Sequence, residues 1–199
     1  MSRCLEKETR AMISQEEYVS ICGDLFKEYP RSMFVTNTNY YFDTEDFAFT
    51  DMHHMIRIRN VGHNYELTYK VKGDNGDLEI NQDISNRLAH KYLTKGSLPH
   101  GEVYNAVAST GISPKKLKVI TSLYTRRLEI DCGDYLFVLD MNSYDGVEDY
   151  NIEIESKKSI EHATEVLKRY CKQYHLTYPE HYEVKSARAI KLAREKSHL

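Results

Sequence analysis

Glu6, Glu8 and Arg10 are the first residues whose types and spacing could do chemistry together, and they alternate along residues 5–13. In a β-strand, residues i, i+2 and i+4 project from one side, so the two carboxylates lie about 6–7 Å apart with the guanidinium next in line. Neighbouring carboxylates repel each other unless water or a ligand surrounds them. Alone, this segment is typical of a solvated outer face, and the remaining strands decide whether a ligand site is the better interpretation.

Charge on other alternating segments is sorted by sign. Arg57 and Arg59 share one face of their segment, Lys70 follows on the next segment, and Glu153 and Glu155 form a second acidic pair. A solvated sheet face usually mixes both signs, because like charges side by side are unfavourable. The opposite face of each segment is apolar and could lie under helices, which would turn the charged faces inward.

Burying rows of like charge is costly unless each charge has a partner. A polyphosphate with a divalent metal ion supplies both signs at once. Arginine and lysine bind phosphate oxygens, and carboxylates bind a hard cation that also binds phosphate. The charge pattern therefore predicts a site for phosphate groups and a metal ion.

The hydrophobic alternation and the turn signals predict the elements that would position these residues. Eight mainly antiparallel strands are expected at residues 5–13, 32–42, 55–61, 65–71, 77–84, 117–132, 135–141 and 150–155. Helices are expected at residues 14–29, 86–94, 102–109, 159–174 and 185–194, with turns at 43–46 and 73–76. This pattern indicates a mainly β protein of the α+β class, an antiparallel barrel or curled sheet with helices packed outside.

Length and composition limit which classes of protein the chain can belong to. The chain has 199 residues, of which 41% are hydrophobic and 29% are charged, which is typical of one globular domain over residues 1–199. Its formal net charge of −3 gives no reason to expect nucleic acid as a partner. No apolar run reaches the length of a membrane span and no apolar signal segment starts the chain, so we expect a cytoplasmic protein without a membrane partner. The four cysteines are scattered without zinc or redox spacing and are expected to be free thiols.

The motifs together resemble one known family. Glu6-Lys7-Glu8-Thr9-Arg10 is similar to the Glu-x-Glu-x-Lys signature of the CYTH superfamily, the triphosphate tunnel metalloenzymes. Five further segments match that family in order and spacing, and the resemblance extends over essentially the whole chain. They are residues 41–48, 56–70, 125–129, 139–155 and 185–188.

The resemblance implies an eight-stranded antiparallel closed tunnel with a charged lumen, and hydrolysis of a triphosphate with Mg²⁺ or Mn²⁺. The substrate would be inorganic triphosphate or a small organic one, such as thiamine triphosphate or a nucleoside triphosphate. Catalysis would depend on Glu6, Glu8 and Arg10. The implied metal-binding carboxylates are Glu6, Glu8, Asp140, Glu153 and Glu155. The implied phosphate-binding residues are Arg10, Arg57, Arg59, Lys70, Arg127, Lys185 and Arg188.

One residue departs from the signature, because Arg10 stands where the family has lysine. Arginine keeps the charge, but it is forked, bulkier and effectively never deprotonated. A role in positioning phosphate is compatible with that change, whereas a role that needs a compact ammonium group beside the attacking water is put in doubt.

Several alternatives stay open. An adenylate cyclase on the same fold, or a non-catalytic module that binds polyphosphate or nucleotide, would use many of the same residues. Lys185 and Arg188 could instead form a solvated helix face, and Glu79 and Glu129 could hold arginines in place rather than bind metal. A homodimer is compatible with the sequence, which does not establish the oligomeric state.

Overall fold

The structure is a computed structural model that describes residues 7–72, 78–179, 181 and 183–197. Within these residues, eight strands and six α-helices are formed. The strands are β1 (Glu8–Ile13), β2 (Phe34–Asp43), β3 (His54–Val61), β4 (Asn64–Val71), β5 (Leu78–Ile84), β6 (Lys118–Asp131), β7 (Tyr135–Tyr144) and β8 (Val147–Ser156). The helices are α1 (Gln15–Glu28), α2 (Ala48–Asp51), α3 (Asn86–Lys95), α4 (Glu102–Ala108), α5 (Ile160–Gln173) and α6 (Lys185–Ser197), with a 3₁₀ turn at Pro114–Lys116.

The eight strands form one antiparallel sheet in the order β1-β8-β7-β6-β2-β3-β4-β5. This confirms the predicted fold class of an eight-stranded antiparallel sheet with helices. β1 and β5 are the two ends of the order, so hydrogen bonds do not close the sheet within the described part of the chain. The predicted turn at residues 73–76 lies outside the described residues.

The chain forms two compact units. The carboxylate unit comprises Glu6–Thr36 and Thr125–Lys185, and the arginine unit comprises Met1–Leu5, Asn37–Tyr124 and Ser186–Leu199. The single domain expected from the sequence stays a prediction.

In the carboxylate unit, the apolar faces of β1, β7 and β8 lie under α1 and α5. Ala11, Leu139 and Ile152 are fully buried there, together with Leu167 from α5. Burial of each large aliphatic side chain contributes about 1.5–3 kcal/mol. Because side chains alternate along a strand, this packing places the charged residues on the opposite face of the same strands.

Helix α1 begins at a capping box, the sequence pattern in which Ser14 is followed three residues later by Glu17. The backbone N–H of Glu17 donates to Oγ of Ser14 (3.2 Å), and the backbone N–H of Ser14 donates to the carboxylate of Glu17 (2.6 Å). These bonds satisfy N–H groups that have no partner inside the helix.

The arginine unit follows the same principle. Ile56 and Ile58 on β3 and Leu67 on β4 are at most 1% exposed and pack in one cluster with residues of α3 and α4. The opposite face of β3 therefore carries Arg57 and Arg59, as the alternation predicts.

The structure adds helix α2, which follows the turn predicted at residues 43–46. Asp43 is 1% exposed, and its carboxylate accepts hydrogen bonds from the backbone N–H groups of Thr44, Phe49 and Thr50 and from the hydroxyl of Thr50. A four-residue helix shows too little periodicity to be recognised, and this one is stabilised mainly by a carboxylate five residues before it begins.

Strands β7 and β8 are longer than predicted and run to a tight hairpin. Asp145 (φ 49°) and Gly146 (φ 84°) form the turn with positive φ at both positions, which suits the twist of a two-residue hairpin. The added strand residues, such as Asn142 and Asp149, are polar, so the hydrophobic pattern did not extend the strands over them.

Candidate metal centre

Three carboxylates of the carboxylate unit come together on the polar face of β1 and β8. Antiparallel pairing sets Glu8 opposite Glu155 and Arg10 opposite Glu153. One oxygen from each of Glu8, Glu153 and Glu155 lies within 4.8 Å of the other two. The strand register therefore forms a block of four charged residues, with carboxylates at three corners and a guanidinium at the fourth; the three carboxylates are called the carboxylate triplet.

Arg10 contacts two members of the triplet. Its Nη2 atom donates to Oε1 of Glu8, and its Nη1 atom lies 3.1 Å from Oε1 of Glu153. The side chain of Arg10 is 4% exposed and that of Glu153 is 2% exposed. These contacts compensate charges that would be costly to bury alone.

Arg127 on β6 contacts four carboxylates. It donates from Nε and Nη2 to the two carboxylate oxygens of Asp140 (2.8 and 2.9 Å) and from Nη2 to Oε2 of Glu153 (2.7 Å). Its Nη1 atom donates to Glu129 (3.3 Å) and Glu155 (3.4 Å). Burial disfavours the charged guanidinium, but the hydrogen bonds and negative charges, led by those of Asp140, raise the pKa of Arg127.

Asp140 is fully buried and is held by cations. Lys185, the first residue of α6, donates from Nζ to Oδ2 of Asp140 (2.5 Å) and to Oε1 of Glu153 (3.4 Å). Burial alone would raise the pKa of Asp140, but the hydrogen bond from Arg127 and the charges of Lys185 and Arg127 outweigh it and lower that pKa. Asp140 is therefore a carboxylate anchored by two cations, beside the triplet rather than within it.

Glu155 lies at the more open side of the triplet, with 34% of its side chain exposed. Partial burial and the negative charges of Glu153 and Glu129 raise its pKa, against the lowering effect of Arg127 and Lys185. Glu6, a predicted metal ligand on the same strand face as Glu8, lies outside the described residues.

A polar network that the sequence analysis did not identify continues along the same face. Asn142 donates from Nδ2 to Asn151 (2.8 Å) and to Asp149 (3.0 Å) and accepts from Thr125 (2.9 Å). Tyr144 donates to the other oxygen of Asp149 (2.6 Å). Asn142 and Asn151 lie two residues from Asp140 and Glu153, so strand alternation carried the signal that could have found them.

The arginine unit carries a second polar face. Tyr41 and Asn39 on β2 are paired with Arg57 and Arg59 on β3, and Nε of Arg59 donates to Oδ1 of Asn39 (2.9 Å). Nε of Arg57 is buried and has no hydrogen-bond partner among the described residues.

Lys70, Ser186 and Arg188 are further polar residues of the arginine unit. Lys70 on β4 lies 3.5 Å from Glu79 of β5, so the described partner of Glu79 is a lysine and not one of the arginines that the sequence led us to expect. The hydroxyl of buried Tyr41 hydrogen-bonds Ser186 of α6; burial raises its pKa, and the charges of Arg57 and Arg59 act in the opposite direction. Arg188 lies one turn after Lys185 on α6 and is half-buried.

The donor set of the carboxylate unit fits a hard divalent cation. Mg²⁺, Mn²⁺ and Ca²⁺ prefer oxygen ligands, and the triplet offers carboxylate oxygens from three side chains in close proximity. The cations that contact the triplet compensate its negative charge. A bound metal ion or anionic ligand would change this local balance of charge.

Comparison with known proteins agrees with the fold. The model of the CYTH domain family matches residues 5–181, so the chain belongs to the CYTH domain family. It is 33% identical over 156 residues to "Putative triphosphatase YjbK" of Bacillus subtilis strain 168, which covers 78% of this chain and 80% of that protein.

Two solved structures show the same fold. A Bacillus halodurans protein described as a "putative adenylate cyclase" is 32% identical, with a TM-score of 0.80 over 94% of this chain and 98% of that one. The Hippeastrum protein HpAC1, described as a "putative adenylyl cyclase" with a dominant triphosphatase activity, is 17% identical, with a TM-score of 0.76 over 95% of each chain. The second likeness concerns the fold alone. In the described part of this chain, no helix is both long and apolar enough to span a membrane.

Proposed function

We propose that this protein is a metal-dependent hydrolase of triphosphates, and that its substrate is inorganic triphosphate or a small organic triphosphate such as thiamine triphosphate or a nucleoside triphosphate. The observation that carries the proposal is the carboxylate triplet of Glu8, Glu153 and Glu155 in a chain of the CYTH domain family. The 33% identical relative named as a triphosphatase supports the same reaction class.

The acidic and the basic residues of the site have different proposed roles. Glu8, Glu153 and Glu155 would hold a divalent cation, with Glu6 and Asp140 as the further acidic residues of the site. Arg127 and Lys185 contact Asp140 and Glu153 and hold these carboxylates in place. The residues that would bind phosphate oxygens are Arg10, Arg57, Arg59, Lys70, Arg127, Lys185 and Arg188, and the forked arginine side chain is well suited to that role.

The reaction is phosphoryl transfer to water. When bound, a divalent cation supplies neutralisation of phosphate charge and a lower pKa of coordinated water. The cationic side chains orient the triphosphate and stabilise the charge that develops on its oxygens, and most of the rate acceleration comes from positioning and electrostatics.

A substrate panel tests the proposal. Phosphate release is measured from inorganic triphosphate, thiamine triphosphate and ATP, each with Mg²⁺, with Mn²⁺ and with a chelator. We expect release from at least one of them only when the metal ion is present. Absence of release from all three with either ion would contradict the proposed function.

A second candidate is an adenylate cyclase on the same fold, because the 32% identical Bacillus halodurans protein carries that description. The same ATP reactions discriminate the two, since a cyclase forms cyclic AMP and pyrophosphate whereas a hydrolase forms ADP and phosphate. The third alternative, a non-catalytic binding module, would bind these compounds without turnover. The triplet argues against it, because an anion-binding protein has little use for clustered carboxylates.

Other features are part of the proposal. The metal is Mg²⁺ or Mn²⁺, the protein is cytoplasmic, and its partner is a triphosphate-containing small molecule rather than nucleic acid or membrane. The chain is a single domain, which a single cooperative unfolding transition would support. A homodimer is tested by sedimentation of the purified protein.

A further inference from the structure

A cation occupies the fourth corner of the charged block on β1 and β8. Arg10 stands opposite Glu153 and next to Glu8 on its own strand face, and its guanidinium contacts a carboxylate oxygen of each. Two of the three candidate metal ligands are therefore engaged by Arg10 in this structure. A metal ion that used the same oxygens would meet a positive charge already bound to them.

Burial places Arg10 at the enclosed side of the triplet. The side chains of Arg10 and Glu153 are 4% and 2% exposed, whereas those of Glu8 and Glu155 are 21% and 34% exposed. A guanidinium does not lose its proton under ordinary conditions, so Arg10 cannot relieve the repulsion by becoming neutral. It can only change its contacts.

Arg127 also contacts the triplet, but its position is different. Its fork is bound to both oxygens of Asp140, which is outside the triplet. That bidentate pair fixes Arg127 independently of Glu153 and Glu155. We expect Arg127 to keep its place when an ion binds, and Arg10 to be the residue that yields.

We propose that Arg10 is a positioning residue that takes the place of the metal ion in the ion-free protein and must release Glu8 before a divalent cation binds there. The proposal rests on the proposed function. The guanidinium donors released from Glu8 become available to a phosphate oxygen. The cation and the triphosphate therefore strengthen each other's binding through Arg10, because such a coupling is reciprocal.

Binding of Mn²⁺ to the full-length protein without substrate tests this directly. The protein is freed of metal with a chelator, and Mn²⁺ is titrated by calorimetry. Arg10→Met keeps a long side chain but removes the competing charge, so we expect roughly ten-fold tighter Mn²⁺ binding than in the wild type. Lys27→Met is the matched control, because it removes the same charge from an exposed position of α1 and should leave the affinity unchanged. Equal or weaker affinity in folded Arg10→Met would overturn the proposal.

Arg10→Lys provides a second test that does not depend on Arg10→Met folding. Lysine restores the signature residue and keeps the charge, but its compact ammonium lacks the fork that contacts two carboxylates at once. We expect Mn²⁺ to bind this variant more tightly than the wild type, and inorganic triphosphate to increase that affinity less than it does in the wild type. An unchanged affinity together with an unchanged effect of triphosphate would refute the role of Arg10.

Failure of this inference is distinguishable from failure of the proposed function. A wild-type protein that releases phosphate with Mn²⁺ while the Arg10 variants bind the ion no more tightly refutes only the inference. A wild-type protein that neither binds Mn²⁺ nor releases phosphate refutes both.

Discussion

The charged side chains on the polar faces of the two units have different kinds of neighbours. In the carboxylate unit, Arg10, Arg127 and Lys185 contact the carboxylates directly, so the charges compensate one another within the unit. In the arginine unit, the strand neighbours of Arg57 are the neutral residues Tyr41 and Thr68, whereas Arg59 is paired with Asn39 of β2, which accepts its hydrogen bond, and with Glu66 of β4.

From this difference we expect the polar face of the carboxylate unit to bind the metal ion and that of the arginine unit to bind the substrate. A set of carboxylates that is already neutralised by cations is preorganised, and an incoming ion has to rearrange existing pairs. The buried Nε atom of Arg57, which has no hydrogen-bond partner among the described residues, is a donor that an anionic ligand could satisfy. We therefore expect substitutions in the carboxylate unit to change metal dependence and those in the arginine unit to change substrate affinity.

The largest effect is expected for Glu155→Gln. It removes one anionic oxygen donor from the triplet, so turnover with Mn²⁺ should fall about a hundred-fold or more, and Mn²⁺ should bind more weakly. Steady-state phosphate release and calorimetry measure the two effects. Glu165→Gln makes the same chemical change at an exposed position of α5 and should behave as wild type. Wild-type turnover in Glu155→Gln would remove that residue from the site.

Arg57→Ala tests the other side of the comparison. Loss of a forked phosphate donor should raise KM for inorganic triphosphate and lower kcat/KM about ten- to a hundred-fold, while Mn²⁺ affinity without substrate stays unchanged. Arg87→Ala, in the same unit but exposed on α3, is the control. If Arg57→Ala weakened Mn²⁺ binding and left KM alone, the division of tasks between the two faces would be wrong.

Arg127→Gln should be the most destabilising of these substitutions. It removes one cationic partner of each of the buried carboxylates Asp140 and Glu153, so the free energy of unfolding should fall by about 3 kcal/mol. Urea denaturation of the metal-free protein measures the loss. Arg127→Lys keeps the charge without the fork and should lose less. Equal stability of Arg127→Gln and wild type would show that these ion pairs do not hold the unit together.

The smallest effect concerns His54 on the apolar side of β3. Partial burial lowers its pKa below 6.5, and its Nδ1 atom lies 2.8 Å from the hydroxyl of Tyr69. At pH values between the pKa of His54 in the folded protein and its pKa in the unfolded chain, the unfolded chain binds more protons. The contribution of neutral His54 to the free energy of unfolding is therefore fully present above pH 6.5, and it is lost as the pH falls through the folded pKa. We expect the urea midpoint to decrease from pH 7 to 5.5 by more in the wild type than in His54→Gln. Parallel pH profiles would contradict this.

Much of the fold followed from alternation. Local spacing predicts that Arg57 and Ile56 lie on opposite faces of their strand, and that Glu153 and Ile152 do so on theirs. It also predicts the capping box at Ser14. The ends of β7 and β8 were not, because polar residues such as Asn142 extend these strands through a network formed only in the folded sheet.

The sequence indicated the members of the proposed site, but not their contacts. Residue type and strand parity singled out the acidic pairs that contain Glu8, Glu153 and Glu155, and their role as metal ligands, which the family resemblance implies, stays a prediction. The pairing of Glu8 with Glu155 depends on the register between β1 and β8. That register is set by two segments about 140 positions apart in the chain, so no local pattern contains it. For the same reason, the sequence could not show that Arg127 and Lys185 contact carboxylates.

The central claim is that the carboxylate triplet is a divalent-cation site that serves triphosphate hydrolysis. The most direct test is phosphate release from inorganic triphosphate by chelator-treated protein, before and after Mn²⁺ is added, in the wild type and in Glu153→Gln. We expect no release before addition, release by the wild type afterwards, and a rate about a hundred-fold lower in the variant. Release without the ion, or a variant as fast as the wild type with it, would contradict the claim.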